Sequence, residues 1–147
     1  MKTTISRKAV EEDPGQYWNA FNHALAMSQT ENLDGVFRKC HLIYGYASEA
    51  WNGGHGQYFL NKESFDHKEV LRALKELGAS EHAAILEAAL EVMDDFMNES
   101  VDENKSEEVS EILDSLDQKL YLTKPELFDF LESIQRKYES ELVTWVE

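Results

Sequence analysis

Beyond Ser80, the residues Ile85, Ala88, Ala89, Val92, Met93, Phe96 and Met97 recur at i, i+3, i+4, i+7, i+8, i+11 and i+12. Only an α-helix turns all seven to one side, so this spacing dictates an amphipathic helix whose apolar stripe must find a partner. The same period governs the rest of the chain. Trp18, Phe21 and Leu25 mark a helix that follows Pro14 and Gly15 and ends near Ser28. Val36, Phe37, Cys40, Tyr44 and Ala47 share a face of a second, from about Leu33 to Trp51. Val70, Leu71, Leu74 and Leu77 define a third, with Ser64 as N-cap and Gly78 as the C′ terminator, and Ser80 caps the helix of the long stripe. Past a polar hinge at 98–107, Val109, Ile112, Leu113, Leu116 and Leu120 form another stripe. Thr123 and Glu126 have capping-box spacing around Pro125, opening a last helix that turns Leu127, Leu131, Ile134, Tyr138 and Trp145 inward. No sustained period-2 run and no solenoid repeat competes with this pattern. The expected fold is all-α: a compact single-domain bundle of about six helices over residues 1–147, with 1–14 a loosely ordered N-terminal segment.

A chain of 147 residues can bury roughly 70% of its unfolded surface without covalent staples. Its one cysteine, Cys40, excludes internal disulfides and sits on an apolar stripe, which reads as a buried thiol. Cys40 and His41 point about 100° apart on a helix and do not form a catalytic pair. The five histidines lack the i, i+4 pairing of a helical metal site, so neither metal nor cofactor is expected. The N-terminus holds no apolar run of signal-peptide length, and "AAILEAALEVM" is interrupted by Glu87 and Glu91, short of the roughly 20 residues of a membrane span. The expectation is a cytoplasmic protein with no membrane partner.

Against 14 basic residues stand 29 acidic ones, a net charge of −15, which argues against nucleic acid as a direct partner and for a basic protein. Residues 91–117 hold 11 of the acidic residues and 1 basic one. On the helix of the long stripe Glu87, Glu91, Asp94 and Asp95 lie opposite the apolar side; Asp102 and Glu103 fall in the hinge; Glu107, Glu108, Glu111, Asp114 and Asp117 repeat the pattern beyond it. Like charges at these spacings destabilise a helix by a few tenths of a kcal/mol per pair. A solvated face is one reason for them and mimicry of a polyanion the other. If residues 91–117 were all helical they would span roughly 40 Å, with a carboxylate about every 3.7 Å, against one charge per roughly 1.7 Å of duplex DNA. Two helices side by side, or two copies in a homodimer, could approach the DNA value.

"WNGGHGQYF", residues 51–59, concentrates Gly53, Gly54 and Gly56. It follows a helix and lacks the Gly-Lys-Ser/Thr ending of a phosphate loop. Structurally it reads as a helix terminator, with Trp51, Tyr58 and Phe59 in the core. Functionally it reads as an elbow from which Asn52, His55 and Gln57 project into a cleft that holds a small anion or peptide, with His55 a general base that lacks an identifiable nucleophile.

Asn52, Gly53, Gly54, Gln57, Tyr58 and Phe59 resemble the Asn-Gly-Gly-x-x-Gln-Tyr-Phe signature of a family of small, often acidic bacterial proteins named after a DNA-mimic member. The similarity extends through "NGGHGQYFLN", "ALKELGASEHAAILEAAL" and "LDSLDQKLY", over roughly residues 17 to 138. The resemblance implies an all-helical fold, no catalytic activity and, for the namesake, inhibition of a DNA-binding protein through a carboxylate-rich surface presented by a dimer. His55 departs from the family, which commonly has phenylalanine there. The signature is also separate from the acidic segment, so membership alone does not make 91–117 a mimic surface.

The combined reading is a non-enzymatic acidic interaction protein, a DNA mimic that occupies the basic surface of a DNA-binding protein. The alternatives are an immunity protein that neutralises a cationic toxin, and a small-ligand binder or enzyme centred on Asn52, Gly53, Gly54 and His55 with Gln57 and Tyr58.

Overall fold

The computed structural model describes residues 1–98 and 103–147. The chain runs β1 (Thr3–Ser6), α1 (Arg7–Glu12), α2 (Gln16–Met27), a 3-10 turn (Thr30–Asn32), α3 (Gly35–Asn61), α4 (His67–Leu77), α5 (Ser80–Asn98), α6 (Glu103–Leu122), α7 (Leu127–Lys137), α8 (Glu139–Leu142) and β2 (Val143–Val146). It is an all-α bundle with one two-stranded addition.

α3 is the hub, packing against α2, α4, α6 and α7. Its sequence explains why: Phe37, Cys40, Leu42, Ile43, Tyr46, Ala47 and Ala50 are buried, so apolar positions run round the helix and not along one stripe. A helix that is apolar on all sides belongs in the interior. The surrounding helices each turn one stripe toward it: Tyr17, Phe21 and Leu25 from α2, Val70, Leu74 and Leu77 from α4, Leu127, Leu131 and Ile134 from α7. Between these stripes Arg38 binds Glu69 through two nitrogens, at 2.6 and 3.1 Å, which ties α3 to α4. Gln135 donates to the Tyr17 carbonyl at 2.9 Å and ties α7 to α2.

The first residues differ from the expected loose segment. Thr3–Ser6 pair in parallel with Val143–Val146, in the register Thr3 to Val143 through Ser6 to Val146. Thr3, Ile5 and Val143 turn inward, and Trp145 stacks on Tyr17 at 5.8 Å from this strand instead of from a helix. Ser6 then caps α1, its hydroxyl accepting the Ala9 N–H at 3.1 Å. Four residues per strand are too few for a period-2 signal to stand out.

Two capping expectations also shift. Asp66, not Ser64, accepts the Lys68 and Glu69 N–H groups at the start of α4. The Thr123–Glu126 capping box is absent: the Thr123 hydroxyl donates back to the Lys119 carbonyl, and Glu126 is itself the N-cap of α7 without a side-chain cap bond. Of the expected polar hinge at 98–107, Asn98 belongs to α5 and 103–107 to α6, while 99–102 lie outside the described residues. Ile112, read into the stripe of α6, is exposed, while Val109, Leu113, Leu116 and Leu120 are buried.

Gly78 ends α4 as its spacing predicts, at φ 100°, ψ 13°, with its N–H on the Leu74 and Lys75 carbonyls. A side chain there meets open space but must hold a left-handed backbone. Gly78→Ala should therefore cost about 1–2 kcal/mol in urea unfolding, with an unchanged m-value.

Candidate functional site

The helix of Gly35–Asn61 is broken at two residues, Gly53 (φ −147°, ψ 19°) and Gly54 (φ 78°, ψ −176°). Gly54 combines two demands that only glycine meets. Its φ is in the left-handed region, and a Cβ would overlap the Asp117 carboxylate. A Cβ on Gly53 would overlap the Gln57 side chain. Glycine spacing thus predicts a bend correctly, but the helix resumes at once instead of ending there.

A break strands backbone hydrogen-bonding groups on both sides. α6 supplies partners for them from two positions one turn apart. The Asp117 carboxylate accepts the His55 backbone N–H at 2.8 Å, acting as an N-cap delivered from another helix, where the dipole of the resumed segment favours negative charge. The Tyr121 hydroxyl donates to the Ala50 carbonyl at 3.1 Å, on the near side of the break. Tyr121 also packs on Trp51, ring centroids 4.8 Å apart.

The same Asp117 oxygen lies 2.6 Å from His55 Nδ1, and Tyr46 Oη lies 2.7 Å from His55 Nε2. Only one neutral tautomer satisfies the set: Nδ1–H donates to Asp117, and Nε2 accepts from the Tyr46 hydroxyl. Burial lowers the His55 pKa below its ordinary value, although the Asp117 hydrogen bond and charge act in the opposite direction. Burial likewise holds the Tyr46 hydroxyl well above the ordinary tyrosine range, so it stays a proton donor in a hydrogen bond and not an anion. The contact is therefore a neutral imidazole on a carboxylate and not an ion pair.

The remaining elbow residues have separate duties. Gln57 and Asn61 donate to one oxygen of Glu49, at 2.8 and 2.9 Å, bracing the two arms of α3. The Tyr58 hydroxyl is 2.8 Å from His67 Nδ1, at the start of α4. Asn52 is exposed. His55 is 0% exposed with both ring nitrogens engaged, so no substrate reaches it as a general base. Asn52, His55, Gln57 and Tyr58 do not converge on an open cleft; the last three form a joint, and Asn52 faces solvent. Cys40, on α3, is buried, its thiol pushed up to about 12 by burial, which leaves it protonated and inert.

The acidic residues divide into groups. Glu87, Glu91, Asp94 and Asp95 on α5, and Glu107, Glu108, Glu111 and Asp114 on α6, are exposed. Asp102 lies outside the described residues, as does the side chain of Glu103. Asp117 is the correction: its side chain is only 13% exposed and serves the elbow, because its position, next to Leu116 and four residues after Leu113, borders the buried stripe. The exposed carboxylates also face different neighbours. Glu87 reaches Lys75 of α4 at 3.7 Å, and Asp94 borders a groove shared with α3 and α4. Asp95 and Glu108 border the furrow between α5 and α6. Glu107, Glu111 and Asp114 form an i, i+4, i+7 row on the solvent side of α6.

Sequence spacing could not pair Asp117 with His55, which lie 62 residues apart. The available signal was positional: Asp117 is the one acidic residue of its row adjoining the apolar stripe.

A family model described as DMP19-like protein matches residues 31–143. That span includes the elbow, α4, α5, α6 and α7. No curated protein and no solved structure matches the chain.

Asp117→Ala strands the two donors of His55 in the interior and should cost about 2–4 kcal/mol in chemical denaturation. Stability should also fall in mild acid. His41, His55 and His67 all have pKa values lowered, chiefly by burial. The unfolded chain therefore takes up protons that the folded chain refuses. The histidine contribution is complete above about pH 6.5 and is lost as pH falls below it, by up to about 1.4 kcal/mol per pH unit for each proton. Glu49 and Glu69, whose pKa values are lowered by their hydrogen bonds, add their losses only below about pH 4.5. Melting curves from pH 7.5 to 5 should show the first phase, and His55→Phe should reduce it to the share of His41 and His67.

Proposed function

The chain belongs to the DMP19-like family, and from that premise we propose that it is a non-enzymatic interaction protein that occupies the basic surface of a DNA-binding protein in place of DNA. The observation that carries this reading is the run of eight exposed carboxylates on the consecutive, mutually packed helices α5 and α6. Glu87, Glu91 and Asp94 on one helix, and Glu107, Glu111 and Asp114 on the other, each place three charges along about 10 Å of axis. A single DNA strand carries one charge per roughly 3.4 Å, so each row reaches about two thirds of that density. The helical backbone sets the spacing of the charges within each row, which favours a partner whose cations are themselves fixed.

The same arrangement explains a cost. Like charges one turn apart disfavour the helices that bear them, by a few tenths of a kcal/mol per pair. The buried stripes Leu86, Ala89, Leu113, Leu116 and Leu120 offset it. A carboxylate field of this kind steers cationic partners together quickly and loses strength in salt.

The elbow contributes indirectly. Asp117 fixes α6 against α3 at the helix that carries one of the rows, so its role in binding is placement and not contact.

A basic DNA-binding protein mixed with the chain should bind it in competition with duplex DNA, and affinity should fall by at least about ten-fold between about 50 and 200 mM salt. Reversing Glu107, Glu111 and Asp114 to lysine together should abolish the competition without lowering Tm, because all three side chains are exposed. Unchanged competition by that triple variant would sink the reading.

A further inference from the structure

On the flank of α5 turned away from α6, a groove of about 500 Å³ opens toward the resumed end of α3 and the start of α4. Its lining is mainly apolar: Phe59 and Leu60 from α3, Leu90, Met93 and Met97 from α5. Leu60 is 74% exposed and Met97 73% exposed. Gly56 widens the groove, since a Cβ there would meet nothing within 4 Å. Unlike Gly53 and Gly54, Gly56 therefore has no steric reason to be glycine. Its absence of a side chain keeps the groove open.

The rim has one sign. Glu63 and Asp94 border the groove, and no lysine or arginine is among its described lining residues. Glu91 and Glu87 continue from Asp94 along α5 at helical spacing. An apolar trough beside a row of carboxylates complements a helix that carries leucine, methionine or phenylalanine on one face and lysine or arginine beside it. Methionine side chains at 93 and 97 adapt their shape to such a face at small cost.

We propose that this groove docks an amphipathic, basic helix of the partner protein, its apolar face on Leu60, Met93 and Met97 and its cations on Glu63, Asp94 and Glu91. The proposal rests on the reading of the partner as basic and adds the segment by which it is held. Electrostatics brings the partner in, and the apolar contact gives it a defined seat.

A synthetic Leu/Lys helix of about four turns, with its leucines on one face, tests this against a peptide of identical composition in shuffled order. The full chain should bind the amphipathic peptide at least about ten-fold more tightly than the shuffled one, and amide resonances should shift around Gly56, Leu60 and Met93. Gly56→Trp, which fills the groove, and Leu60→Lys should each weaken binding by about ten-fold or more with Tm preserved. The triple lysine variant at Glu107, Glu111 and Asp114 should keep the roughly ten-fold preference for the amphipathic over the shuffled peptide even as its altered net charge weakens both, so the groove and the α6 row fail or stand separately. Equal binding of both peptides, or tight binding to Gly56→Trp, overturns the inference. So does a leucine/glutamine version that binds as well as the lysine one, since the rim would then select nothing. If Gly56→Trp instead converts a dimer to a monomer in sedimentation, the groove is filled by a second copy and the assignment to a partner helix is wrong.

Discussion

A helix can change direction in a protein interior only if something takes over the hydrogen bonds that the change breaks. Here that service comes from one neighbouring helix, through Asp117 on the far side of the break and Tyr121 on the near side. Because α3 is the hub of the bundle, its bend sets the direction in which the chain leaves the core toward α4. The first arm meets α2 through Phe37 on Phe21, α7 through Tyr44 on Phe128 and α4 through Arg38 on Glu69, and the short second arm leads into α4. Asp117 thus ties the geometry of the core to the position of α6, and through α6 to α5.

The protein uses carboxylates in two opposed ways, and the difference is solvent. Asp117 works because it is sheltered: two donors from one residue converge on a single oxygen, in a setting where such bonds are strong. The eight exposed carboxylates work only if they remain hydrated until a partner displaces the water. Burying any of them without a cation would cost several kcal/mol, so their value to the fold alone is negative. This opposition separates residues that are neighbours in sequence. Asp114 and Asp117 sit three positions apart, and about 60° of rotation decides that one belongs to the surface and the other to the architecture.

Much of the helical plan was legible in the chain. Periods such as Phe21–Leu25, Leu74–Leu77 and Leu113–Leu116–Leu120 report which side of each helix is buried, since burial acts on every turn. Gly78 was readable for the same local reason. What escaped was long-range pairing. The bond of Asp117 to His55 has no trace in local spacing, and the strand of Thr3–Ser6 exists only because Val143–Val146 lies beside it. Caps fell between these cases: Asp66 and Ser64 are equally good capping residues, and the choice depends on where the α3–α4 connection releases the chain. His55 shows the limit most clearly. Its residue type suggested chemistry, yet both ring nitrogens are spent on Asp117 and Tyr46.

The clasp between Thr3–Ser6 and Val143–Val146 sets an order on biosynthesis. The first strand has no mate until residues 143–146 have been made. Closing so long a loop is entropically cheap only after the helices between have shortened it. Without residues 143–146 the strand Thr3–Ser6 has no mate, and its backbone N–H and C=O groups form an unpaired edge of the kind that invites pairing with another chain.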